Sequence, residues 1–279
     1  MAYADVHAGF RDIAYSSEFI AIVSDDNNLR IWCAKTRKLL YCIKQACWNN
    51  RIAISPNNKF IVTTGETHSI SIYDVYKGEL IKSFTVHEQD CPITSLFFSK
   101  EGDLFTGSFD GKIRKWSIPN ADNLGIVLDH VHHIHDASFN GPFVALEKCN
   151  KTASLWSMQT GKLVMGFPGK RAALSPTGPL MAAYNGSDKV RIYCVGTLDI
   201  LKTFDTDNVT RLLFSPNGQY LAVQRANNTV TIECVFEDEW RVIMAVMGGI
   251  YFKSTPLGSF LLSDGDNGCV RKVCSFLVC

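Results

Sequence analysis

Histidine side chains are concentrated in one short segment, and imidazole is a common ligand for zinc. Four of the seven histidines lie in the segment Asp-His-Val-His-His-Ile-His-Asp, residues 129–136. In an extended chain alternate residues share a face, so His130 would lie beside His132 and His133 beside His135. The pattern therefore allows a metal site or a pH sensor. Because no cysteine lies at ligand spacing nearby, we favour a linking loop in which no metal is bound.

The cysteines show no metal-binding pattern. Cys269, Cys274 and Cys279 recur every five residues, and an odd spacing on one strand places successive side chains on opposite faces. A Cys-x2-Cys pair is absent from the sequence. We interpret these three cysteines as small buried hydrophobic residues, and we predict no metal and no cofactor.

Common catalytic motifs are also absent from the sequence. It contains no phosphate-binding P-loop, no nucleophile elbow and no His-Glu-x-x-His. The segments between the predicted strands are short, with no insertion that would build a pocket. We therefore predict that the protein is not an enzyme. An active site on the loops stays an alternative, because a fold alone does not exclude catalysis.

A repeat of about forty residues positions these features. Each copy has a polar turn followed by an alternating strand that ends in a large residue, as in residues 27–32 and 188–193. The last residues of the seven copies are 37 to 43 positions apart, at Trp32, Tyr73, Trp116, Trp156, Tyr193, Glu233 and Val273. A regular spacing of this length is typical of a four-stranded propeller blade.

A second series of turns follows the same period. Residues 54–60, 98–104, 174–180 and 214–220 each place a serine and then Pro, Asn, Gly or Lys between two apolar strands. Pro presets φ and Gly or Asn accepts a positive φ, so these segments predict hairpin turns. Period-2 alternation between such turns predicts an all-β fold with essentially no helix.

These motifs resemble the WD40 repeat family, and the resemblance extends over the whole chain. In that family a histidine, a strand serine or threonine, a turn aspartate and the tryptophan form a hydrogen-bonded tetrad in one blade. The resemblance implies that His87, Ser108 (or Thr106), Asp110 and Trp116 form it here. At the turn position only the first and third copies keep aspartate, and the seven residues are Asp26, Thr67, Asp110, Asn150, Ser187, Asn227 and Asn267.

The resemblance implies a single domain, residues 1–279, with the fold of a seven-bladed WD40-type β-propeller. The expected blades are residues 8–44, 45–85, 86–129, 130–168, 169–204, 205–245, and 246–279 together with 1–7. Too few residues follow the last copy for its fourth strand. We therefore expect residues 2–6 to pair with the last blade and close the ring, which removes an exposed sheet edge.

One face of such a propeller is a candidate binding site. In the WD40 family, partners usually dock where the innermost strands begin and the second strands end. Here the strand starts are Arg11-Asp12, Asn50-Arg51, Thr94-Ser95, His135-Asp136, Lys170-Arg171, Thr210-Arg211 and Gly248-Gly249. The basic residues would form an arc that holds an acidic or phosphorylated segment, with Phe109 as an aromatic anchor. The turn residues Asp25, Glu66 and Asp266 would suit a basic segment instead.

We predict a non-catalytic scaffold or adaptor that binds proteins or peptides on this face as a subunit of a larger complex. The alternative is a reader of histone tails or phosphorylated motifs, which would need a deep pocket at the channel mouth.

Charge and hydropathy exclude other classes of partner. Lys and Arg number 28 against 27 Asp and Glu, so we predict no direct binding of nucleic acid. The longest apolar run, residues 242–252, is shorter than the roughly 20 residues that a membrane span needs. The N-terminus lacks the pattern of a secretory signal, and we expect the protein in the cytoplasm or the nucleus.

Overall fold

Alternating apolar residues form strands throughout the part of the chain that the computed structural model describes. This part comprises residues 2–5, 10–45, 49–65, 68–86, 91–129, 133–148, 152–186, 188–215, 217–227, 229–236, 242–247, 251–254, 260–264 and 269–273. Within these ranges every regular element is a β-strand and no helix is present, which confirms the all-β prediction. Accordingly, no helix within these ranges is long and apolar enough to cross a membrane.

The described residues form the following strands. In chain order they are β1 (Ala2–Asp5), β2 (Phe10–Tyr15), β3 (Phe19–Ser24), β4 (Asn28–Cys33), β5 (Leu39–Lys44), β6 (Asn49–Ile54), β7 (Phe60–Gly65), β8 (Ser69–Asp74), β9 (Glu79–Thr85), β10 (Ile93–Phe98), β11 (Leu104–Ser108), β12 (Lys112–Ser117), β13 (Asp122–Asp129), β14 (Ile134–Asn140), β15 (Phe143–Lys148), β16 (Thr152–Ser157), β17 (Leu163–Pro168), β18 (Arg171–Leu174), β19 (Leu180–Tyr184), β20 (Lys189–Cys194), β21 (Ile200–Asp205), β22 (Val209–Phe214), β23 (Tyr220–Arg225), β24 (Thr229–Cys234), β25 (Val242–Met247), β26 (Tyr251–Ser254), β27 (Phe260–Asp264) and β28 (Cys269–Val273).

The strands pair into antiparallel sheets of four. From β2 to β25, each group of four consecutive strands forms one sheet, and the order in the sheet is the order in the chain. A further sheet has the order β1-β28-β27-β26. In it Ala2 lies opposite Arg271 and Asp5 opposite Cys269. The first strand of the chain is therefore the outer strand of the sheet that contains the last three.

The innermost strands of successive sheets contact one another. Contacts join β2 to β6, β6 to β10, β10 to β14, β14 to β18 and β18 to β22, and β26 contacts both β22 and β2. The core lies between neighbouring sheets, where for example Ile31 of the first sheet packs with Ile52 and Ile61 of the next. Second strands are covered on both faces, and every residue of β3, β11 and β19 is buried.

Two of the four predicted serine turns share a hydrogen-bond pattern. The Ser55 hydroxyl donates to Asn57 Oδ1 at 2.7 Å and accepts the Phe60 N–H at 2.9 Å. Ser215 makes the same two bonds with Asn217 and Tyr220, at 2.6 and 3.0 Å. The serine thus links both ends of the hairpin loop, because it satisfies a strand N–H that the turn would leave without a partner.

A register shift recurs beside the residue that ends each copy. The strand pairs β4–β5, β8–β9, β12–β13, β16–β17, β20–β21 and β24–β25 each contain a β-bulge immediately before Trp32, Tyr73, Trp116, Trp156, Tyr193 and Glu233. The sixth copy ends in glutamate instead of an aromatic residue, yet its backbone follows the same pattern. The repeat is therefore a property of the backbone as well as of the sequence.

Candidate functional site

A second β-bulge lies at the start of the innermost strands. In five sheets the register shift leaves one extra residue, which is Arg11, Asn50, Thr94, His135 or Thr210. Each of these begins one of the dipeptides that the sequence identified as strand starts. In the fifth sheet the Lys170 N–H donates to the Tyr184 carbonyl at 2.9 Å, and Arg171 lies opposite Tyr184.

The residues that follow the extra residues line a common cavity. Its volume is about 520 Å³, and its wall includes Asp12, Arg51, Ser95, Asp136, Arg171 and Arg211, together with His135 and Glu147. The cavity thus brings together three of the five predicted basic residues. The fourth, Arg11, pairs with Asp25, and the fifth, Lys170, passes over Gly186.

Asp12 joins the first sheet to the second. Its side chain is buried, and its two carboxylate oxygens accept the Ile13 N–H at 2.9 Å and the Ile52 N–H at 3.0 Å. Ile52 belongs to the innermost strand of the next sheet. Because that strand has no further partner strand on this side, the carboxylate satisfies a backbone donor that would otherwise face the cavity.

Glu147 joins the fourth sheet to the fifth. It lies opposite Asp136 in the strand register, and it accepts the Ala172 N–H and an Arg171 Nη1–H, both at 2.8 Å. Burial raises the pKa of Glu147 to about 7, and the neighbouring Asp136 carboxylate adds to this effect. Burial also lowers the pKa of His135, as do the positive charges of Arg171 and Arg51.

Sequence reasoning missed Glu147, although a signal was available. The corresponding residues of the first, second, third, fifth and sixth sheets are Val23, Thr64, Gly107, Tyr184 and Gln224, none of which carries a charge at neutral pH. A buried strand that carries one ionisable residue where its repeats carry none is a candidate for a special role. The site must therefore include the second strands, and the strand starts alone do not define it.

Backbone carbonyl groups, which are neutral, accept the hydrogen bonds that join the second, third and fourth sheets. The Arg51 Nε–H donates to the Thr94 carbonyl at 2.7 Å, and the Thr94 hydroxyl donates to the Ile134 carbonyl at 2.8 Å. Thr94 is the extra residue of its bulge, and a bulge leaves the extra residue's backbone outside the strand ladder. That backbone is therefore available to bond the neighbouring sheet.

The third copy contains the predicted tetrad residues. Trp116 Nε1–H donates to the buried Thr106 hydroxyl at 3.0 Å. Its acceptor is therefore Thr106, the expected alternative to Ser108. The Ser108 hydroxyl instead donates to the Cys91 carbonyl at 3.4 Å and accepts the Asp110 N–H at 3.3 Å. His87 lies outside the described residues, and the complete tetrad stays a prediction.

The two turn aspartates each face an arginine four residues later. Asp110 pairs with Arg114 at 2.7 Å, and Asp26 pairs with Arg30. Burial by itself would raise the pKa of Asp26, but hydrogen bonds from Arg30, Ser24 and Asn28 outweigh it and hold the pKa well below its usual range. These arginines are a second group that sequence reasoning missed, and the shared Asp-x-x-x-Arg spacing would have revealed them.

The remaining predicted residues lie at the same edge or outside the described ranges. The Phe109 and His133 rings have centroids 5.6 Å apart, and a hydrogen bond joins the His133 ring to the Phe109 carbonyl. Glu66, Asp266, His130, His132, Cys274 and Cys279 lie outside the described residues. Among the side chains that are described, no three His, Cys, Asp or Glu side chains could hold a metal ion together.

Comparison with known sequences identifies one copy directly. The family model described as "WD domain, G-beta repeat" matches residues 78–117, which include β10, β11 and β12 and end just after Trp116. This is the copy in which the sequence showed its clearest motif.

Several curated proteins are similar over longer stretches. The target of rapamycin complex subunit wat1 of Schizosaccharomyces pombe is 23% identical over 225 residues, 74% of this chain and 71% of that protein. GID complex subunit 7 of the same yeast is 24% identical over 144 residues, 49% of this chain and 28% of that protein. Autophagy-related protein 16 of Arabidopsis thaliana is 22% identical over 234 residues, 78% and 45% respectively.

The matched stretches thus cover from 28% to 71% of the length of these three relatives. The matched repeat has the same four-stranded unit as the copies before and after it, and the same bulge before its last residue. These observations assign residues 78–117 to the WD40 repeat family, and the neighbouring copies share its four-stranded unit.

Proposed function

We propose that this WD40-repeat protein is a non-catalytic scaffold that binds partner proteins or peptides within a multiprotein complex. Two of its relatives are named as subunits of complexes, the GID complex and the target of rapamycin complex. The polar side chains of the cavity support a non-catalytic role, because Asp12 and Glu147 are engaged in hydrogen bonds between sheets. We place this function in the cytoplasm or the nucleus, without direct binding of nucleic acid.

The proposed scaffold is a closed propeller of seven blades. Support comes from the antiparallel pairing of β1 with β28 and from the contacts of β26 with both β22 and β2. In a closed ring the innermost strands surround a channel, and the cavity lies at the end of the channel where these strands begin.

The proposed docking face is this mouth of the channel. The observation that carries the proposal is the convergence of Arg51, Arg171 and Arg211, from three different sheets, on one cavity. Arginine is enriched at the energetic centres of protein interfaces because its guanidinium group makes several directed hydrogen bonds at once.

Removing two of these charges tests the docking face. We expect Arg51→Gln combined with Arg211→Glu to abolish recovery of the main partners in affinity purification followed by mass spectrometry. The matched control combines Lys100→Gln with Lys59→Glu, since both lysines are exposed in turns at the opposite ends of the innermost strands. If the first variant folds, as judged by circular dichroism, and still recovers the same partners, the docking face is elsewhere.

A further inference from the structure

The cavity wall contains three carboxylates and three arginines, and the two groups differ in their hydrogen bonds. The three carboxylates, Asp12, Asp136 and Glu147, each accept a backbone N–H hydrogen bond. Two of them bond the next sheet, so they have a structural task in the wall. They are therefore poorly placed to receive a cation from a partner.

Arg171 retains a hydrogen-bond donor that the described residues do not satisfy. Its Nη1–H donates to Glu147, while its Nε is buried and has no hydrogen-bond acceptor among the described residues. A buried donor without an acceptor is rare in folded proteins, because it loses its bond to water and gains nothing in return. The Arg171 side chain as a whole is 29% exposed, so the accessible part of the same guanidinium group can bond an acceptor supplied from outside the chain.

The charges of neighbouring groups converge on the same place. Arg51, His135 and Arg171 line the same cavity, and burial and the positive charges of the two arginines lower the pKa of His135. Arg211 lines the same cavity from β22. Three guanidinium groups on separate strands form a geometry that suits one multivalent anion, since each can donate more than one hydrogen bond.

We propose that the cavity binds an anionic group, a carboxylate or a phosphate on a partner segment, through Arg171 and Arg211, and that Glu147 is the internal counter-ion that competes for Arg171. This inference rests on the proposed function and specifies the chemistry of its docking face. When no partner is bound, Glu147 is paired with Arg171. This pair balances the charge of the wall and links the fifth sheet to the fourth.

The competition depends on the protonation of Glu147. The charged groups that act on it are Asp136 from β14 and Arg171 from β18, and His135 lines the same cavity. With its pKa near 7, Glu147 gains a proton as the pH falls from 8 to 6. The cavity wall then changes from balanced charge to an excess of positive charge. Anion binding should strengthen over this interval.

Sulfate is a suitable probe because its charge does not change in this pH range. We expect the full chain to bind sulfate with millimolar affinity at pH 6 and several-fold more weakly at pH 8, measured by calorimetric titration at constant ionic strength with chloride. Arg211→Gln should weaken sulfate binding at pH 6 about tenfold, which is the loss of one charge-assisted hydrogen bond.

Glu147→Gln separates competition from a merely structural role. Glutamine keeps an oxygen that can accept the Ala172 N–H but carries no charge. We expect this variant to bind sulfate at pH 8 as tightly as the wild type does at pH 6, and its affinity should no longer change with pH. Acetylated amides of phosphoserine and glutamate, titrated in the same way, then assign the anion to a phosphorylated or an acidic segment by which binds more tightly.

Lys59→Gln, at the opposite end of the innermost strands, is the control and should bind sulfate like the wild type. Absence of sulfate binding in both the wild type and Glu147→Gln would overturn the inference, and so would binding that Arg211→Gln leaves unchanged. If either occurs while the Arg51 and Arg211 double variant still loses its protein partners, the docking face stands and only its anion chemistry is refuted.

Discussion

The carboxylates Asp26 and Glu147 differ in pKa because their burial, their charged neighbours and their hydrogen-bond donors differ. Asp26 receives bonds from an arginine, a serine and an asparagine, which stabilise its charged form. Glu147 is more deeply buried and has Asp136 as a neighbour, so its neutral form is favoured. Two residues of similar chemistry thereby have opposite effects on how stability changes with pH.

Asp26→Asn should lower the free energy of unfolding by about 2 kcal/mol at pH 7, because charged hydrogen bonds are lost. The pKa of Asp26 is lowered in the folded protein, so its contribution is present above its ordinary value of 3.8 and is lost as the pH falls below it. Urea denaturation at pH 7 and pH 3 checks this, and the difference should shrink at pH 3.

Asp25→Asn is the matched control for this measurement. Asp25 pairs with Arg11, but its side chain is half exposed. An exposed pair contributes at most about 1 kcal/mol. An equal loss of stability in both variants would show that the partly buried hydrogen bonds of Asp26 are not the cause.

Thr106→Val should lower the free energy of unfolding by about 1–3 kcal/mol, because it leaves Trp116 Nε1–H without its acceptor in a buried site. Thr106→Val in a Trp116→Phe background should cost less than in the wild type, since the donor is then absent as well. A double-mutant cycle measured by thermal or urea denaturation tests the pair. Additive losses would contradict the hydrogen bond.

For single residues, the sequence predicted which side chains matter better than it predicted which groups they bond. Trp116 was identified from its spacing, but either Ser108 or Thr106 could have been its acceptor, because both hydroxyls lie on the same strand two residues apart. Only the register of β11 against β12 decides between them. Glu147 was missed for a related reason, since its significance depends on its position opposite Asp136.

Gly107 shows how closely the innermost two strands of the third sheet approach. A Cβ atom at this position would overlap the Ser95 hydroxyl oxygen. Gly107→Ala should therefore lower the free energy of unfolding by about 1–3 kcal/mol through overpacking. Adding Ser95→Ala removes the clashing oxygen and should restore most of the loss. Urea denaturation of both variants measures this, and failure of the second change to rescue would contradict the contact.

Strands and hairpin turns were predictable because alternation and turn residues are local signals. The serine turns, for example, bond residues that are only two and five positions away. The bulges were not predictable, because one extra residue in a strand barely disturbs its apolar alternation and reveals itself only against the partner strand. The first six dipeptides therefore lie at the starts of the innermost strands, as the sequence predicted, while the bulges beside them were not visible in the sequence.

At the scale of the whole molecule the proposed closure depends on β1. Deleting residues 1–6 should lower the melting temperature by roughly 5 °C or more, because β28 would lose its outer partner. Differential scanning calorimetry measures the change. A synthetic peptide of residues 1–6 added to the deleted chain should restore part of the loss. An unchanged melting temperature would show that the pairing does not stabilise the protein.

The bulges in the outermost strands of the sheets affect aggregation of the protein at high concentration. β5, β9, β13, β17 and β21 end their sheets, and each exposes leucine or isoleucine side chains. A straight apolar edge would act as a template for strands of other molecules and lead to aggregation. Each of these strands instead carries a bulge near its start, which interrupts the row of backbone donors and acceptors. The irregularity that marks the repeat thus protects the rim against fibre formation.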